Sequence, residues 1–86
     1  MDVNEVITDR TKTHGDYQEV AKVHHYLMTA VKKNPAYNTL TPVQEMSLLM
    51  IVHKISRVVS GNPNLADHWL DIEGYARLAR LEIEKI

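Results

Sequence analysis

Between Thr41 and Gly61 the chain carries Met46, Leu48, Leu49, Met50, Ile51, Val52, Ile55, Val58 and Val59, too many apolar positions for one stripe of a surface helix. That width constrains the fold most, because a helix apolar on more than one face has to lie between two others. Thr41-Pro42-Val43-Gln44 opens it with an N-cap Thr, Pro at N1 and Gln at N3, a capping box that satisfies orphan backbone donors. Gly61 ends it. After the turn Asn62 to Ala66, a further helix is expected from Asp67 to near the C-terminus, with Trp69, Leu70, Ile72, Ala76, Leu78, Ala79 and Ile83 as another wide apolar surface. The two make an antiparallel central hairpin.

Upstream, Tyr17, Val20, Ala21, His24, Leu27, Met28 and Val31 recur at the helical period from Asp16, and Lys32-Lys33 suit its negative end. Val3 to Lys12 reads as a short, poorly capped helix, and Asn34 to Thr41 as an irregular connection. Of the three Gly and three Pro, all but Gly74 fall at expected boundaries. No sustained alternation, Asn-Gly or Asp-Gly signals a strand or hairpin. The expected fold is all-α, three long helices plus a short N-terminal one in a single domain over residues 1–86.

A core of this size is marginal, since a chain of 9.9 kDa buries only about 64% of its extended-chain surface. A homo-oligomer is therefore expected, with a bundle of four or more helices completed across the interface. Ten Lys and Arg against eleven Asp and Glu leave a net charge of -1, which disfavours nucleic acid as a bulk partner. The absence of Cys excludes a disulfide framework and a thiolate nucleophile and suits a reducing cytoplasm. With no apolar run of membrane length and no basic leader, a cytoplasmic protein is expected.

Two polar clusters could carry function. His53, Lys54 and Arg57 on one arm of the hairpin face Asp67, His68, Asp71 and Tyr75 on the other, with Arg57 expected near Asp71 or Asp67 and Lys54 near Asp71 or Tyr75. One reading is an ion-pair network that fixes register. The other is an anion or nucleotide site, with Lys54 and Arg57 on phosphate oxygens, Asp67 and Asp71 holding a metal or positioning the cations, and Tyr75 or Trp69 stacking on a base. The second cluster, Thr11 to Tyr17, reads either as a helix start, capped by Asp16 or Thr13 with Gly15 in an unusual backbone conformation, or as a loop whose Lys12 and His14 close over a ligand.

The pair His24-His25 does not chelate from one face, because adjacent helical residues point about 100° apart. His24 belongs in the apolar stripe and His25 in solvent. The four Met residues are packing, and no Gly-rich phosphate loop, nucleophile elbow, His-Glu-x-x-His or calcium loop occurs.

The run His53-Lys54-Ile55-Ser56-Arg57, then Ser60 to Asn64 and Asp67-His68-Trp69-Leu70-Asp71-Ile72-Glu73-Gly74-Tyr75, with Thr13-His14-Gly15-Asp16-Tyr17 upstream, resembles a family of small, mostly phage-encoded proteins related to the MazG-like all-α nucleotide pyrophosphatases. The resemblance spans nearly the whole chain. It implies a helical dimer or higher oligomer, a phage or prophage origin and a nucleotide-derived ligand. MazG-like enzymes hold Mg²⁺ with Glu-x-x-Glu on one helix and Glu-x-x-Asp on the next. Here Lys54-x-x-Arg57 and His68-x-x-Asp71 stand in those places, and only Asp71 matches. Two cations would repel Mg²⁺ and bind phosphate directly, so ligand binding is expected above pyrophosphohydrolysis. A metal on His68, Asp71 and Glu45 is the weak alternative.

The expected function is thus recognition of a nucleotide or nucleotide-derived ligand by Lys54, Arg57, Asp67, His68, Asp71 and Tyr75, with His14 and Asp16 closing the site. The rival is a phage protein that docks on and inhibits a host enzyme through exposed apolar helix surface, the polar set being structural. A structural virion or assembly component is the third option.

Overall fold

The computed structural model describes residues 2–85, and four helices account for most of them. Helix α1 spans Val3–His14, α2 Tyr17–Lys32, α3 Pro42–Ser60 and α4 Ala66–Glu84, with a 3₁₀ segment over Pro35–Thr39 between α2 and α3. No strand occurs among the described residues. The all-α expectation and its four elements hold.

Local chemistry sets the starts of α1, α2 and α3, whereas α4 begins after Leu65 with no side-chain cap. The capping box at α3 is complete: the Gln44 amide donates to Thr41 Oγ1 at 3.1 Å, and the Thr41 amide to Gln44 Oε1 at 3.0 Å. Asp16 caps α2, its Oδ1 accepting from the amides of Gln18 and Glu19. Helix α1 runs two residues further than expected and is better capped, because Asp2 Oδ1 accepts from the Glu5 amide at 2.9 Å. In the connection, Asn34 caps the 3₁₀ segment through the Ala36 amide. Gly74 lies inside α4, as its exclusion from the boundaries implied.

The central position of α3 is as expected: α2 packs on one side of it and α4 on the other. The register of the α3–α4 hairpin is read from two contacts. Thr41 Oγ1 donates to Glu82 Oε2 at 3.0 Å, and Lys54 Nζ pairs with Asp71 Oδ2 at 2.9 Å, so ascending residues on α3 meet descending ones on α4. By helical phase Ser47 and Val58 lie with Lys54 on the α4 side, whereas Val52 and Ser56 lie toward α2. All four are buried. Ser56 is wholly inaccessible and returns its hydroxyl to the Val52 carbonyl at 2.9 Å, which lets the helices approach without an unpaired polar atom.

The result is closer to a single layer of helices than to a closed bundle. The radius of gyration is 14.8 Å and the extents are 47 × 26 × 22 Å, against about 12 Å for a compact chain of this length. Buried apolar residues among those described are only Val20, Met28, Val52 and Val58. Tyr17, expected in the inward stripe of α2, is instead 84% exposed as the first residue of that helix. His24 is half-buried with its ring edge-on to His53 at 5.7 Å, and His25 is exposed.

Candidate functional site

The two polar clusters of the sequence meet, but not as one site. Their meeting point is a backbone clasp between the α1–α2 elbow and the α3–α4 turn. Gly15 has φ +84°, a region that disfavours a side chain, and a Cβ there would lie 2.8 Å from the Ser60 backbone. A Cβ on Gly61 would lie 2.6 Å from the Gly15 nitrogen and 2.7 Å from the Thr13 carbonyl oxygen. Only glycine on both sides permits this approach. The Thr13 carbonyl accepts from the Asn62 amide at 3.1 Å and from His68 Nε2 at 2.9 Å. His68 is 1% exposed, and its ring meets that of His14 edge-on at 5.1 Å. Thus His68 is buried and spends its Nε2 on holding the elbow in place.

Above the clasp the elbow and the outer turn of α3 enclose a cleft of about 580 Å³. Ile7 and Val20 give it apolar walls, Tyr17 stands on its rim, and Arg10, His14, His53 and Arg57 bring it polar groups. Arg10 and His14 are one turn apart on α1, and His53 and Arg57 one turn apart on α3, so each helix aims a pair into the same space. Arg57 Nε donates to His53 Nε2 at 3.2 Å, which leaves both Nη nitrogens for something else. Among the described residues no carboxylate pairs with Arg57 or Arg10.

The ionisation of these groups is governed first by burial and then by their cationic neighbours. Burial holds the His14 imidazole below its ordinary value, and Arg10, Arg57, His68 and Lys54 push it further down. His53 is lowered by burial first and then by Arg57, His24 and Lys54, in agreement with a neutral ring that accepts from Arg57. Even the Arg57 guanidinium is disfavoured, by burial and by Arg10. The carboxylate at the cleft wall, Asp16, is committed to the amides of α2. The cleft is a concave, partly apolar surface on which two arginines outnumber one carboxylate, which suits an anion with an apolar part.

The eight residues expected to bind ligand divide accordingly. His14, Asp16 and Arg57 line the cleft. Lys54 and Asp71 pair with each other on the α3–α4 seam, His68 is in the clasp, Tyr75 is half-buried on α4, and Asp67 is exposed in the first turn of α4. The expected pairing of Arg57 with Asp71 or Asp67 does not form, because residues three apart on a helix point about 60° apart and only Lys54 is directed at α4. The metal set is not assembled either: among the described residues no three His, Asp or Glu side chains converge, and His68 Nε2 is spent on Thr13. Arg10, Ile7 and Gln18 join the cleft without having been anticipated, and the i, i+4 spacing of Arg10 and His14 was the one available signal.

Residues 1–82 match the family model described as Domain of unknown function (DUF6378). The chain belongs to that family. No curated protein and no solved structure matches it significantly. Because the match takes in the elbow, the clasp and both cationic pairs, the whole candidate site falls within the DUF6378 region.

Proposed function

We propose that this DUF6378 protein binds a small phosphate-bearing ligand of the nucleotide class in the cleft between α1, the elbow and α3. The observation that carries the reading is Arg57: a half-buried guanidinium beside a second arginine, with both Nη nitrogens directed to no carboxylate among the described residues. Guanidinium forks match phosphate oxygens two at a time, and an anion would relieve the repulsion between Arg57 and Arg10. His14 supplies a third donor that charges more readily once an anion is present. Ile7, Val20 and the exposed ring of Tyr17 offer the apolar and stacking surface that a base or sugar needs and that free phosphate would leave unused. The resemblance to MazG-like proteins supports a nucleotide over other organic phosphates, and a phage or prophage origin goes with it.

The reading is binding without hydrolysis. Activating water against a polyphosphate takes several carboxylates around Mg²⁺, and the walls of this cleft offer Asp16 alone, already engaged as a helix cap. The test is thermal stabilisation by inorganic phosphate, pyrophosphate, nucleoside triphosphates and cyclic nucleotides, with turnover followed in Mg²⁺ or Mn²⁺. Ligand at a hundred times its Kd adds about 2.7 kcal/mol to stability. The expected result is a rise in Tm with phosphate-bearing compounds, largest for nucleotides, that vanishes in a folded Arg57→Ala variant. No rise with any of them, or an equal rise in Arg57→Ala, would remove the proposal.

A further inference from the structure

The cleft holds one carboxylate among its cationic groups, and only half of that carboxylate is used. Asp16 is the N-cap of α2: its Oδ1 accepts from the Gln18 amide at 2.9 Å and from the Glu19 amide at 3.4 Å. Its Oδ2 accepts from no group among the described residues. Arg10 and Arg57 line the same cleft, yet neither comes within ion-pair distance of Asp16. A carboxylate oxygen has lone pairs and no proton to give, so whatever meets Oδ2 has to be a donor.

That requirement divides the cleft. A phosphate group brings negative charge and acceptor oxygens, so it is drawn to Arg57, Arg10 and His14 and repelled by Asp16. The neutral donors of a nucleotide are its sugar hydroxyls and the amino groups of its base. Chain order distinguishes them, because His14, Asp16 and Tyr17 follow one another through the elbow. His14 lies in the field of the two arginines, and Tyr17 stands on the rim, 84% exposed. Phosphate, sugar and base follow one another in a nucleotide in the same way. With phosphate on the arginines and the base against Tyr17, the part that reaches Asp16 is the sugar. We infer that Asp16 Oδ2 accepts from the ribose hydroxyls and that the cleft selects ribonucleotides over deoxyribonucleotides, an inference that rests on the phosphate-binding reading above. Ribose presents vicinal 2′- and 3′-hydroxyls to this oxygen, whereas 2′-deoxyribose keeps one. A site that hydrogen-bonds a substrate hydroxyl rejects the analogue lacking it, since its own polar group is left unpaired. Asp16 thus serves the fold with one oxygen and the ligand with the other.

Isothermal titration calorimetry of the full chain tests this, with matched ribo- and 2′-deoxyribonucleoside triphosphates of each base and with pyrophosphate. The wild type is expected to bind the best ribonucleotide at least about tenfold tighter than its deoxy counterpart. Asp16→Ser keeps a side-chain oxygen for the α2 amides, since Ser caps a helix as well as Asp, and removes the second oxygen. In that variant the ribonucleotide should weaken by about tenfold and the ratio to the deoxynucleotide should fall to about one. Pyrophosphate should bind as tightly as before or tighter, because a negative charge has left the cleft. Weaker nucleotide binding beside undiminished pyrophosphate binding is a pair of changes that loss of structure does not produce. Ribo and deoxy forms bound equally by the wild type, with pyrophosphate bound as well, would overturn the inference and leave the phosphate site standing. Discrimination that survives in Asp16→Ser would overturn the role of Asp16. Failure of pyrophosphate and of every nucleotide to bind the wild type would remove the phosphate site and this inference with it.

Discussion

Replacing Gly61 by alanine tests the clasp on which the cleft is built. The new methyl would lie 2.6 Å from the Gly15 nitrogen, 2.7 Å from the Thr13 oxygen and 2.9 Å from the His14 carbonyl carbon. All three are backbone atoms, so no side chain can swing aside; the elbow itself must withdraw. Withdrawal breaks the two hydrogen bonds to the Thr13 carbonyl, from the Asn62 amide and from His68 Nε2. A lost hydrogen bond costs about 0.5–1.5 kcal/mol and an orphaned buried donor about 1–3, so together they amount to roughly 2–4 kcal/mol. A chain of this length has about 4–13 kcal/mol of stability in total, and each kcal/mol is worth about 4–8 °C. Gly61→Ala is therefore expected to lower Tm by roughly 10–30 °C in thermal melts followed by circular dichroism. Gly74→Ala is the matched control: no atom lies within 4 Å of its Cβ and it sits inside a helix, so that change should stabilise by about 0.5–1 kcal/mol. If Gly61→Ala melts within a degree or two of wild type, the close approach of the elbow to the turn is wrong.

Stability should fall on acidification. Burial and neighbouring cations hold His14 and His53 below 6.5 in the folded chain, so below that pH the unfolded chain binds more protons, and stability present at neutral pH is lost as pH drops toward the folded values. Melts at about pH 7.5 and 5.5 should show this, with a smaller loss in a His14→Gln, His53→Gln double variant; an equal loss in both would assign the effect elsewhere. Anion binding should run the other way and tighten as pH falls, because a bound phosphate favours the imidazolium of His14; calorimetric titration with pyrophosphate at the two pH values checks the sign. Arg57→Met should leave stability unchanged or slightly higher while abolishing phosphate-dependent stabilisation, since the guanidinium has no partner to lose other than His53. Asp71→Ala should do the reverse, costing about 1–3 kcal/mol because the mostly buried Lys54 loses its partner, and leaving ligand binding intact.

The features that could be read from the sequence are those decided within a few residues. The Thr41–Gln44 box, the Asp16 cap and the turn at Gly61 each depend on side chains reaching neighbouring amides, and they form where the pattern places them. The Lys54–Asp71 pair is one of the two partners the spacing offered Lys54, because a short turn fixes hairpin register to within a turn of helix. The cleft was not legible in the same way. Arg10 and Arg57 are distant in sequence, and periodicity assigns a residue to a face without saying which element covers that face. Here the elbow decides it: Gly15, docked against Ser60, swings the last turns of α1 over His53 and Arg57 rather than over Lys54. The same event makes Thr13, Gly15 and His68 the clasp that shapes the cleft, while His14 and Asp16 stay on the cleft wall.

The most direct measurement of the central claim is a nuclear magnetic resonance titration of the uniformly ¹⁵N-labelled protein, reading the arginine Nε–H and histidine ring signals as a nucleoside triphosphate is added, with pyrophosphate in parallel. The account predicts saturable shifts at Arg57, Arg10 and His14, with Tyr17 perturbed by the nucleotide and not by pyrophosphate, and no change at Asp67 or Tyr75. Saturable shifts confined to the Lys54, Asp71 and Tyr75 side of the hairpin, with Arg57 and Arg10 unmoved, would contradict it.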